Sequence, residues 1–130
     1  MPSSLVQGPD GTLYGAAEMG GPAGTDSGDI YEISPSGADF TVIYPFSGPD
    51  GAGPDSLLLT SDGTLYGATQ WGGPAFTSLQ SGDGLIFKMN TSGGDYAALY
   101  EFTRTGLDGY SPEALIEGPG HLLYGQLRSL

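Results

Sequence analysis

SDGTLYGATQWGGP, residues 61–74, repeats PDGTLYGAAEMGGP, residues 9–22, almost letter for letter, and a worn third copy reads PGHLLYGQ at 119–126. Placing Tyr14, Tyr66 and Tyr124 in register gives intervals of 52 and 58 residues and brings Pro2, Pro54 and Pro112 together. Leu5 then meets Leu57, and Asp10, Gly11, Thr12, Leu13, Gly15 and Ala16 meet their own residue types in the second copy. Self-similarity at such a period marks a repeat architecture in which each copy is one supersecondary unit. The chain divides into repeat 1 (2–53), repeat 2 (54–111) and a partial repeat 3 (112–130), all within one domain.

The two full copies differ in length only between apolar runs. Four extra residues follow Gly72-Gly73-Pro74-Ala75, the register resumes at Gly28/Gly84, and two more follow Phe102. Insertions of this kind belong to loops. Each full repeat holds four apolar runs: SLLLT, TLYGAT, LIFKMN and YAALYEF in the second, SLVQ, TLYGAA, DIYEIS and FTVIYPF in the first. Leu85, Phe87 and Met89 alternate with Ile86, Lys88 and Asn90, the period of a strand. Asp10-Gly11 and Asp62-Gly63 separate the first two runs and have the composition of a two-residue type I′ hairpin turn. Ser36-Gly37 and Ser92-Gly93 join the third run to the fourth. SPEALIE (111–117), taken alone, reads as a helix start with Ser111 as N-cap and Pro112 at N1. Its repeat mates have no helical period, so the register assigns it to a strand.

Four short antiparallel strands in a repeat of roughly 50 residues is the signature of a propeller blade. The expected fold is all-β: a β-propeller-like array of four-stranded antiparallel blades, about two and a half repeats and ten strands. A β-solenoid or a stacked-hairpin sandwich is the alternative. Glycine and proline, 24 and 10 of 130 residues, supply the turns and argue against long helices. With 15 acidic residues against Lys88, Arg104 and Arg128, the formal charge is −12, a field that repels phosphate backbones and makes nucleic acid and anionic membranes poor candidate partners. There is no cysteine for a disulfide or thiolate site, no apolar run long enough to span a membrane, and no signal-peptide pattern in MPSSLVQGPD.

The phrases P-x-x-L-x(4)-D-G-T-L-Y-G-A-T-x-x-G-G, then G-x-I-F-K-M-x-x-S-G, then L-Y-x-F resemble the GloVer repeat, over nearly the whole chain. That resemblance implies a propeller-like β-fold in bacterial proteins that often carry a surface-anchoring signal, hence an extracellular or cell-surface location, with no assigned activity and no catalytic residues to transfer. The chain begins inside a repeat, and its third copy closes on GQLRSL where Ala-Thr and Gly-Gly would follow, as in a fragment of a longer array or a reduced descendant.

Candidate chemistry gathers in acidic loops. TDSGD (25–29), GPDGAGPD (48–55) and SGDG (81–84) lack the D-x-D-x-D-G spacing of a calcium loop; Asp26 with Asp29, or Asp50 with Asp55, would supply two calcium ligands apiece. Solvated turn aspartates are the plainer reading, and no cofactor is required. His121, the only histidine, sits in a hairpin turn and reads as a surface residue. Glu18 is matched by Gln70, and Glu32 by Lys88, so the paired acids of a glycosidase would have to come from positions that differ between copies. Trp71, the only tryptophan, stands where the first copy has Met19. With Glu18 and Gln70 it is the candidate ligand-binding group, an aromatic platform for a sugar face, although packing between blades would use it equally. Gly67 is expected to admit neighbouring backbone. The leading reading is a non-enzymatic propeller repeat module, a structural or ligand- and partner-binding scaffold taking a carbohydrate or protein ligand; the competing one is a carbohydrate-active or lactonase-like hydrolase using loop carboxylates. Because a blade buries its faces on its neighbours, a part-propeller needs a longer array or a homo-oligomer to complete it. Ten strands in each of two chains would make five four-stranded blades.

Overall fold

The computed structural model describes residues 2–20, 26–73, 82–102, 110–118 and 122–128. Ten strands follow one another: β1 (Pro2–Gln7), β2 (Leu13–Ala17), β3 (Asp29–Ile33), β4 (Phe40–Pro45), β5 (Ala52–Leu59), β6 (Thr64–Trp71), β7 (Leu85–Asn90), β8 (Ala97–Glu101), β9 (Tyr110–Glu117) and β10 (Leu123–Arg128), with no helix among the described residues. They pair as antiparallel meanders: sheet 1 is β1-β2-β3-β4, sheet 2 is β5-β6-β7-β8, and sheet 3 is the pair β9-β10. SPEALIE lies in β9, so the repeat register, and not its local helix signal, gives its conformation. His121 and both insertions fall outside the described residues.

The repeat extends to individual hydrogen bonds. Gly28 N–H donates to the Gly20 carbonyl at 3.0 Å and Gly84 N–H to that of Gly72 at 3.3 Å, while Phe46 and Phe102 donate to the carbonyls of Gly28 and Gly84 at 3.0 Å each. The first hairpins close through Gly8 on Thr12, Thr60 on Thr64 and Gly118 on Leu122. The first two are not two-residue type I′ turns. Gly11 and Gly63 have positive φ, at 90° and 85°, but Asp10 and Asp62 do not, whereas type I′ needs it at both central residues. The Gly11 N–H instead returns to the Gly8 carbonyl. This is a type I turn capped by a left-handed glycine in a three-residue loop, the form that Pro9 favours with its φ near −65°.

β5 starts four residues before the run SLLLT. Proline donates nothing to a ladder and is tolerated in a strand at a bulge, and the registers of β1, β5 and β9 all shift beside their prolines: between Pro2 and Ser4, between Pro54 and Ser56, and around the pairing of Pro112 with Leu127.

Cross-strand registers show which residues share a face. In sheet 1, Tyr14, Ala16, Ile30 and Tyr44 lie on one face; in sheet 2, Leu57, Leu65, Gly67, Phe87 and Met89 lie on one face. The core is the seam between these two faces, with Tyr14, Ala16, Ile30 and Phe46 from sheet 1 against Leu57, Leu65, Leu85, Phe87 and Met89 from sheet 2. The first strands lie in succession, β1 against β5 and β5 against β9. Gly67 serves this packing, but the group it admits is chiefly a side chain: a Cβ there would stand 2.3 Å from the Phe87 ring, and one at Gly15 would stand 2.4 Å from the Tyr31 ring. Each Tyr-Gly step thus makes room for the aromatic of the third strand to lie flat on the second.

Candidate functional site

The ends of β2 and β6 bring two of the three proposed ligand-binding residues together. Gln70 Nε2 donates to Glu18 Oε1 at 3.1 Å, across 52 residues of chain. The two positions are equivalent in neighbouring repeats, so the seam sets them side by side, and an amide opposite a carboxylate bonds where two carboxylates would repel. The Glu-for-Gln difference thus places a hydrogen-bonded pair across the repeats. Trp71 follows at the end of the same strand, half-buried, its indole against Gly53, where a Cβ would stand 2.4 Å from the ring. Gly53 has φ of +66°. The packing reading of Trp71 and the rim reading meet here, since the ring is backed by chain at Gly53 and the residue is only partly buried.

The acidic loops are put to local use. Asp10 Oδ1 accepts from Thr12 N–H at 3.0 Å, and Asp62 Oδ1 accepts from Thr64 N–H at 3.2 Å and from the Thr60 hydroxyl. These bonds favour the charged form: the backbone bond from Thr12 holds Asp10 below the usual carboxylate range, and the Thr60 hydroxyl followed by Thr64 does the same for Asp62. Asp50 Oδ1 accepts from both the backbone and the hydroxyl of Ser47, at 2.9 and 3.0 Å, and its Oδ2 accepts from the Tyr44 hydroxyl at 2.7 Å. Tyr96 donates to the Asp50 carbonyl and stacks on Tyr44, with centroids 4.4 Å apart and planes at 15°. Burial above all pushes both phenols far above their ordinary range. This knot ties sheet 1, the linker and sheet 2 together.

The proposed metal ligands are placed apart in character. Asp26 is exposed, with φ of 58°. Asp29 is only 6% exposed, and its Oδ1 has no hydrogen-bond partner. Burial raises its pKa. Asp50 is engaged as described, and Asp55 is half-buried on β5. Among the described residues no three His, Cys, Asp or Glu side chains gather as a metal site. Glu32, on β3 with Asp29 but three residues on, faces the opposite side of the strand and lines a shallow cleft with Thr12, Asp39 and Thr41. Its repeat mate Lys88 lines the matching cleft of sheet 2 with Asp62, Tyr66 and Asp95. Glu18, Asp29 and Glu32 thus form no common cluster. A larger cleft, of about 320 Å³, opens between the first turns of the two repeats, lined by Gly8, Asp10, Tyr14, Leu59, Thr60 and Thr91 among others.

Two features lay beyond reasoning from one copy at a time. The Glu18–Gln70 bond needed the idea that equivalent positions of adjacent repeats touch. Asp29 occupies the register of Leu85, a core residue, so its burial was readable from the alignment of DIYEI with LIFKM.

A family model described as the Gloeobacter/Verrucomicrobia repeat matches residues 1–129. No curated protein matches the chain.

Proposed function

The chain belongs to the Gloeobacter/Verrucomicrobia repeat family, and on that premise we propose that it is a non-enzymatic scaffold whose sheets are blades of a propeller-like array and whose rim takes a carbohydrate or protein ligand. The carrying observation is the employment of its carboxylates: Asp10, Asp62 and Asp50 hold turns, and Glu18 joins one repeat to the next. The stacking of β1, β5 and β9 supports the propeller-like arrangement. An extracellular or surface location rests on the GloVer resemblance alone. The ligand-facing group is Trp71 with Gln70 and Glu18, an indole backed by Gly53 beside polar groups, suited to stacking on a sugar ring.

Because Trp71 is the only tryptophan, its emission reports directly on this rim. Titration with a panel of oligosaccharides and peptides is expected to shift that emission for at least one of them, with the shift lost in Trp71→Phe and Gln70→Ala. Incubation with aryl glycosides and lactones is expected to give no turnover. Turnover that disappears in Glu18→Gln or Asp29→Asn would replace the scaffold with the hydrolase.

A further inference from the structure

The first hairpin loops of the two full repeats share their backbone closure and differ at the residue that closes them. Thr60 donates its hydroxyl to Asp62 Oδ1, and its equivalent in repeat 1 is Gly8, which has no side chain. Asp10, the mate of Asp62, keeps the bond from Thr12 N–H at 3.0 Å and has no such hydroxyl beside it. The space next to Gly8 is the cleft of about 320 Å³ between the two turns. A Cβ built on Gly8 would stand 3.4 Å from Asp10 Oδ1, 3.4 Å from Tyr14 Cε2 and 3.5 Å from Leu59 Cδ2. A carboxylate, an aromatic edge and a methyl group therefore converge on one point. Thr91 enters from the turn after β7, and its side chain shares a hydrogen bond with Tyr14. The walls come from both repeats, so the cleft exists only at their seam.

We propose that this cleft binds a primary ammonium group on an unbranched aliphatic stem, the ammonium donating to Asp10 where the second repeat has the Thr60 hydroxyl. The stem lies on Pro9, Leu59 and the ring of Tyr14, and the hydroxyls of Ser61 and Thr91 are at hand for the remaining N–H groups. Charge selects a cation over a neutral hydroxylated ligand. The described lining holds Asp10 and no basic residue, and the chain carries −12, a field that gathers cations and turns anions away. The bond from Thr12 N–H holds Asp10 below the usual carboxylate range, so its charge persists at neutral pH. An alcohol would bond to that carboxylate without neutralising it, whereas an ammonium does both. The apolar walls suit methylenes, as they do the stems of long cationic side chains. The volume stands at the small end of the about 300–1,000 Å³ of ligand clefts and admits one short stem. The same chemistry is offered by a free alkylamine and by the lysine side chain of another protein.

The site does not depend on the Trp71 reading, since β6 begins beside this turn at Thr64 and reaches Trp71 only at its far end. It is tested by titrating the isotope-labelled chain at neutral pH with n-butylamine, Nα-acetyl-lysine amide and 1-butanol, following backbone amide shifts by NMR. Saturable shifts at Gly8, Thr12 and Thr91 are expected with an amine and not with butanol. Butylamine binding at least as well as the lysine amide assigns free alkylamines; the lysine amide binding better assigns a lysine-bearing partner. Asp10→Asn, whose amide oxygen still accepts from Thr12, is expected to weaken the amine by at least about tenfold, the worth of a bond to a charged group. Gly8→Thr copies repeat 2 and sets its own hydroxyl beside Asp10, so it is expected to abolish the shifts. Gly8 is not among the glycines with positive φ, and its backbone accepts threonine. Asp62→Asn removes the same charge from the matching turn and is expected to bind the amine as wild type does. The absence of a saturable shift with either amine overturns the proposal, as do equal shifts with butanol or an unchanged amine affinity in Asp10→Asn or Gly8→Thr. A Trp71 emission that no oligosaccharide or peptide moves would remove the rim reading and leave this site standing.

Discussion

Replacing Gly67 by alanine would put a methyl group 2.3 Å from Cζ and 2.8 Å from Cε2 of Phe87, and 2.8 Å from the carbonyl oxygen of Ser56. Neither neighbour can retreat: Phe87 is wholly buried between Phe46 and Tyr96, at centroid separations of 5.4 and 5.7 Å, and Ser56 O belongs to the adjacent strand. The matching substitution, Gly15→Ala, meets Tyr31 at 2.4 Å, but Tyr31 is half-exposed and leans on the exposed Phe40 at 5.1 Å, so its ring has room to swing outward. Overfilling a packed core costs about 1–3 kcal/mol, and alanine returns about 0.4–1 kcal/mol by stiffening the unfolded chain. The net expectation is a loss of about 1–2 kcal/mol at Gly67 and near zero at Gly15. At about 4 °C per kcal/mol for a domain of this size, Gly67→Ala melts about 4–8 °C below wild type and Gly15→Ala within about 2 °C of it. Thermal melts of the two variants, with Phe87→Leu alone and combined with Gly67→Ala, form a double-mutant cycle expected to show favourable coupling of about 1 kcal/mol. If Gly67→Ala melts no lower than Gly15→Ala, the ring-on-glycine account of the repeated Tyr-Gly step is wrong.

Asp29 has its pKa raised by burial, so its contribution to stability is present below the ordinary carboxylate range and is lost as pH rises through the raised value. Asp29→Asn should therefore melt higher than wild type at pH 7, with the advantage fading by about pH 4, and Asp29→Leu, copying Leu85, should gain about 1 kcal/mol, a usual size for a single stabilising change. Asp62 has the opposite sign: the Thr60 and Thr64 bonds lower its pKa, so its contribution is present above the ordinary range and lost as pH falls through the lowered value. Asp62→Asn should melt lower at pH 7 and converge on wild type in acid. Millimolar calcium followed by EDTA should leave the melting temperature unchanged; a rise that EDTA reverses and Asp26→Asn abolishes would establish a cation in the TDSGD loop.

LIFKMN coincides with β7 to the residue because alternation and composition agree there, and β9 followed the register of its mates where its own letters suggested a helix. The start of β5 was hidden in GPDGAGPD, whose letters signal a turn: a left-handed glycine and a bulge let the chain carry a proline into the sheet, and neither is visible without the partner strand. The hairpin turns were placed correctly but typed wrongly, because Asp-Gly serves both the two-residue and the three-residue loop and the bond from Gly11 to Gly8 decides between them. Glu18 and Gln70 were singled out for differing between copies; that they bond to each other depends on sheets lying one behind the next, which no single repeat encodes.

Among the described residues the core cluster draws four side chains from repeat 1 and five from repeat 2, on faces turned toward one another. Folding is thus a property of the junction. A lone repeat of this kind owns half an interior and would reach a stable state only by meeting a twin, so tandem duplication made covalent, at high effective concentration, an association that separate molecules would otherwise have to find by diffusion. Selection on such a chain acts across the boundary between copies before it acts within them, and substitutions at equivalent positions are constrained in pairs, one repeat apart.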